Sequence, residues 1–112
     1  SQSLDIAREQ HLMKEESIAL GNLGYIKVLK EDFANATKLF SDKLILTVKM
    51  NDLQEEMQAL ENLYLISSET NDLKAAIRYL QRLLQIRKHF NDTKEAEEIE
   101  ALIADIAKEE AD

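Results

Sequence analysis

The chain has 112 residues, no Cys and no Pro, and its 22 acidic against 14 basic side chains give a formal charge of −8. That length supports one domain, the lack of thiols excludes disulfides and suits a reducing cytoplasmic setting, and the acidity repels phosphate backbones and anionic lipid. No apolar run approaches the roughly 20 residues of a membrane span and no signal-peptide pattern opens the chain, so a soluble protein with no nucleic acid and no membrane among its partners is expected.

In chain order, apolar residues three or four apart predict helices at about 2 to 10, 14 to 30, 33 to 49, 53 to 69, 73 to 89 and 93 to 110. Leu4 and Ile6 stand forty places before Leu44 and Leu46 and eighty before Leu84 and Ile86, so 1 to 10 reads as the remnant of a preceding second helix. Residues 14 to 50 then form repeat one, 53 to 90 repeat two, and 93 to 110 a terminal or capping helix, all within a single domain spanning 1 to 112. The same forty-residue shift superimposes E-E-x-x-A-L-x-N-L-x-x-I at 15 to 26 on its copy at 55 to 66. A period of this length marks one supersecondary unit that buries its apolar face by stacking on the next.

Polar pairs punctuate the helices every twenty residues: Glu31-Asp32, Asn51-Asp52, Asn71-Asp72 and Asn91-Asp92. Asp accepts hydrogen bonds from orphan amides at a helix start, and Asp52 with Glu55 and Asp92 with Glu95 have the spacing of capping boxes. Linkers this short force antiparallel neighbours, so the fold class is all-α, a stack of helical hairpins. Charge is striped: 52 to 69 and 91 to 112 are acidic, while 73 to 90 carries Lys74, Arg78, Arg82, Arg87 and Lys88 with no acid. Such stripes read either as solvated faces with cross-helix ion pairs or as an acidic surface for a basic partner.

The segments Leu20-x-x-Leu23-Gly24-x-x-Lys27 with Ala36-x-x-x-Phe40, and Leu60-x-x-Leu63-Tyr64-x-x-Ser67 with Ala76-x-x-x-Leu80, resemble the tetratricopeptide repeat. The string Asn22-Leu23-Gly24, followed by Asp32-Phe33, is close to that family's consensus, and the forty-residue period resembles its long-helix members in kinesin light chains, spindle-orienting scaffolds and bacterial regulators. Lys27 and Ser67 depart from the family's Tyr slot, and Tyr64 from the small-residue slot held by Gly24, which is expected to approach Ala36 closely.

The resemblance implies a right-handed superhelix whose first helices line a concave groove. Its groove-facing slots carry over to Ile18, Gly21, Tyr25, Val28 and Leu29, then Gln58, Glu61, Leu65, Ser68 and Glu69, then Glu98, Ala101, Asp105, Lys108 and Glu109. A groove that runs from apolar to acidic suits a protein or peptide with an apolar and a basic end. The alternative for the apolar members is packing against an absent neighbouring repeat, which would expose them and favour a homodimer through open array ends. Gly21 and Tyr25 stand where carboxylate-clamping members of the family need a cation and an amide, and Glu61 lies further along, so no carboxylate clamp is expected.

His11 and His89 have no zinc-type spacing, the Glu95, Glu97, Glu98 and Glu100 cluster points in several directions around a helix, and no phosphate loop or nucleophile motif is present. The expectation is a non-enzymatic module with no cofactor and no metal, a scaffold or adaptor segment; a regulatory segment contacting an effector domain of its own chain is the alternative, and self-association a further one.

Overall fold

The computed structural model describes residues 2–112, and the fold over them is all-α. Its five helices are α1 (Gln2–Leu29), α2 (Phe33–Met50), α3 (Leu53–Glu69), α4 (Leu73–His89) and α5 (Thr93–Ala111), with no strand among the described residues. Consecutive helices pack against each other. The chain divides into two compact units, residues up to Ala59 and Leu60–Asp112.

All four turns have one geometry. Glu31, Asn51, Asn71 and Asn91 sit at φ of 57°, 54°, 57° and 56°, the left-handed region. In each turn the following Asp amide donates to a carbonyl five residues back, as from Asp32 to Lys27 and from Asp52 to Thr47, both at 2.9 Å. This is the Schellman closure, which occupies carbonyls that a helix end leaves without partners. The Asp side chain then starts the next helix: Asp32, Asp52 and Asp72 accept from the amides of Asn35, Glu55 and Ala75 at 3.4, 3.1 and 3.2 Å. The capping box expected at Asp92 does not form, because its carboxylate makes no cap bond and instead accepts from Arg87 at 3.2 Å.

The break expected between 10 and 14 is also absent, and α1 is one helix of 28 residues, about 42 Å long. The reason lies in the turn register. Twenty places before Glu31-Asp32 stand His11-Leu12, and leucine has no oxygen with which to cap a helix start. Without that chemistry nothing interrupts the helix. Of the segment 1 to 10, residue 1 lies outside the described residues.

In the first unit α1 and α2 run antiparallel. A Cβ placed on Gly24 would lie 2.7 Å from the ring of Phe40, and one on Gly21 2.8 Å from Nζ of Lys43, so a step forward along α1 meets a step back along α2. The atoms nearest the Gly24 Cβ position are those of the Phe40 ring, one turn along α2 from Ala36. Ala36, Phe40, Met57 and Ala59 are the buried apolar residues here, together with Ser17, Lys43, Thr47 and Glu56. In the second unit Leu60, Leu63 and Ile66 of α3, Ala76, Leu80, Leu83 and Ile86 of α4, and Ile99 and Ile106 of α5 are buried. Lys88 of α4 bridges to Glu100 of α5 at 3.6 Å.

Candidate functional site

The second unit contains an open cleft of about 260 Å³ between α3, α4 and α5. Leu80, Leu83 and Ile99 form its buried floor, and Tyr64, Leu65 and Leu102 its apolar walls. Leu65 is 58% and Leu102 39% exposed, so the walls present apolar surface to solvent. Glu61, Arg87 and Glu95 complete the lining. Heptad-like spacing creates this arrangement: Glu61 and Leu65 lie one turn apart on α3, Leu80, Leu83 and Arg87 follow one face of α4, and Glu95, Ile99 and Leu102 follow one face of α5.

Arg87 organises the rim. Its guanidinium donates to Glu61 at 3.3 Å and to Asp92 at 3.2 Å, joining α3 to the turn before α5. Glu95 has no ion-pair partner among the described residues and is half-buried at the cleft edge. The rim thus holds one anchored cation with its two acids, plus one further carboxylate. An apolar side chain could occupy the floor while a neighbouring cation met Glu95 and Glu61.

The first unit fills the corresponding place. Forty residues before Glu61, Leu83, Arg87 and Glu95 stand Gly21, Lys43, Thr47 and Glu55. Lys43 is 1% exposed; its ammonium lies 3.5 Å from Glu55 and donates to Gln58. A buried ammonium is tolerated only with such partners. Gly21 leaves room above it, so an absent side chain on α1 accommodates the long one on α2.

Of the residues proposed from sequence, Glu61 and Leu65 line the cleft, and Gly21 and Gln58 are brought together around Lys43. Ile18, Tyr25 and Leu29 are exposed on α1 and Val28 is half-buried. Ser68, Glu69, Glu98 and Asp105 are exposed and lie outside the cleft lining. Sequence reasoning did not select Tyr64, Arg87, Glu95, Leu102 or Lys43. A signal existed for Lys43, since it occupies the register position of Leu83, and for Arg87, which belongs to a basic stripe between two acidic ones.

His11 lies 3.1 Å from Glu15, and His89 meets the ring of Phe90 edge-on with centroids 5.2 Å apart. Among the described residues no three His, Asp or Glu side chains gather to hold a metal ion, and no helix is long and apolar enough to cross a membrane.

The class defined by fold and cleft is a helical protein with repeated hairpin turns. No family model and no curated protein matches the chain.

Proposed function

We propose that this chain is a tetratricopeptide-like protein-binding module, cytoplasmic and non-enzymatic, whose second unit receives an apolar side chain of a peptide or partner helix with a basic residue beside it. The observation that carries the reading is the apolar cleft with Glu61 and Glu95 at its edge. Burial of one large aliphatic side chain supplies about 1.5 to 3 kcal/mol, and the carboxylates contribute mainly orientation and association rate. Affinity therefore rests on the floor, and selectivity on the rim.

The reading is tested by fluorescence anisotropy with a labelled amphipathic helix of leucine and lysine, beside one in which glutamate replaces every lysine. Binding of the lysine peptide alone is expected, with Leu65→Asp weakening it about tenfold, or 1.4 kcal/mol. Glu61→Lys should weaken binding and flatten its dependence on salt. Equal binding of both peptides, or of neither, refutes the proposal.

A further inference from the structure

The forty-residue register places Ala19, Leu23 and Ile26 of α1 on the same footing as Ala59, Leu63 and Ile66 of α3. In α3 these side chains are buried, Leu63 to 1% and Ile66 to 4% exposure, whereas Leu23 is 50% and Ile26 45% exposed. In α5 the register reaches Ile99 and Ile106, also buried, and there the packing neighbour is α4. The face of α1 is thus built to be covered by a helix of the α4 kind.

The chain also carries a segment of that kind. Residues 2 to 9 fall eighty places before 82 to 89 of α4, with Leu4 in the register of Leu84 and Arg8 in that of Lys88. They cannot fold back onto Ala19 and Leu23, because α1 is continuous through His11 and Leu12. Cover and covered face therefore occupy two ends of one straight rod. At 3.6 residues per turn, Leu4, Arg8, Leu12, Glu15, Ala19, Leu23 and Ile26 share a sector of roughly 100°.

We infer that a second copy of this chain covers this face as far as Ala19, with two α1 helices antiparallel about a two-fold axis near residues 11 and 12; Leu4 and Leu12, 64% and 56% exposed, are the large apolar side chains this register buries, and Leu23 and Ile26 lie outside it. Each rod's 2 to 10 then lies on 13 to 21 of the other. Leu4 packs beside Ala19 of the second copy, and Leu12 lies at the centre. The charges agree with this pairing: the same register sets Arg8 opposite Glu15 of the second copy, twice by symmetry. Arg8 is exposed and has no ion-pair partner among the described residues, and Glu15 is held on this face by His11 at 3.1 Å. A self-complementary patch of this type is what a two-fold contact requires.

Light scattering coupled to size exclusion reads the outcome. Twice the chain mass of 12.9 kDa is expected at high concentration, relaxing to one chain on dilution. Leu12→Glu should abolish the dimer while leaving helical circular dichroism unchanged, because Leu12 is exposed within one chain. Arg8→Glu should weaken dimerisation about tenfold, and the exchange pair Arg8→Glu with Glu15→Arg should restore it. A monomer up to about 1 mM overturns the inference and leaves the face to another partner, as does a dimer indifferent to Leu12→Glu or to the charge exchange. The cleft of the second unit has no part in this contact, so failure of either proposal leaves the other intact.

Discussion

The two glycines of α1 perform different work. Neither has a positive φ, so the backbone conformation at either position accepts any residue; what separates them is the atom a new side chain would meet. At Gly24 three ring atoms of Phe40 lie 2.7 to 3.0 Å from the Cβ position, and that ring is buried with little room to withdraw. At Gly21 the nearest atom is the terminal Nζ of Lys43, the far end of a flexible chain. Gly24→Ala should cost about 1 to 3 kcal/mol from overpacking even after the gain in helix propensity. Gly21→Ala should stay within about 1 kcal/mol of wild type, since that same gain offsets the small shift of Lys43. Urea unfolding of both variants decides, and equal losses would contradict the packing assigned to Phe40. The close approach at Gly24 was legible from its place in the repeat, but the Phe40 ring as its nearest neighbour was not. Which side chain enters the gap depends on the rotation of α2 about its axis, and apolar spacing constrains that rotation only to a broad face.

At the level of helices and turns, the chain's punctuation is local and therefore readable. An Asn or Glu in the left-handed region followed by an Asp cap is encoded in two adjacent residues, and the four pairs at twenty-residue intervals fall at the observed turns. The continuity of α1 follows from the same rule, because His11-Leu12 lack the capping oxygen; the apolar match of Leu4 and Ile6 to later helices suggested a break that the turn position does not encode. The cleft was less legible. Each residue turns a helix by about 100°, so an offset of three positions moves a side chain roughly 60° around it. This small rotation separates Glu95, Ile99 and Leu102, which line the cleft, from Glu98 and Asp105, which do not. The turns also differ in quality. Asn tolerates the left-handed region better than Glu, so Glu31, at φ 57°, is the strained member of the four. Glu31→Asn should stabilise the protein by about 0.5 to 1 kcal/mol, and Asn51→Glu should destabilise it by a similar amount. Thermal unfolding checks both, and a loss of stability in Glu31→Asn would show that the Glu31 side chain contributes more than its backbone strain costs.

For the molecule as a whole, charge sets the response to pH. A formal charge of −8 at neutral pH makes the folded chain repel itself, and protonation toward the isoelectric point of about 4.8 relieves that repulsion. Further acidification acts in the opposite direction. Burial alone would raise the pKa of Asp52, but the hydrogen bond from Lys14 at 2.5 Å and the amide of Glu55 outweigh it and hold the carboxyl below its usual value of 3.8. Asp32 is lowered as well, chiefly by the side-chain hydrogen bond from Asn35. A carboxyl whose folded pKa is depressed binds its proton first in the unfolded state, so its stabilisation is complete above 3.8 and disappears as the pH falls through the lower folded value. Lys14, raised above 10.5 by its bond to Asp52, contributes below that pH and loses its contribution as the pH rises past its raised value. The melting temperature should therefore rise or stay level from neutrality to about pH 5 and fall steeply below about pH 4. Asn serves as well as Asp at a helix start, so Asp52→Asn preserves the cap bond while removing the titration and the ion pair. That variant should be less stable than wild type at neutral pH and should converge on it in acid, where the native Asp52 is itself neutral. Parallel profiles across the acid limb would show that the contact between Lys14 and Asp52, which ties α1 to the start of α3, adds nothing to folding.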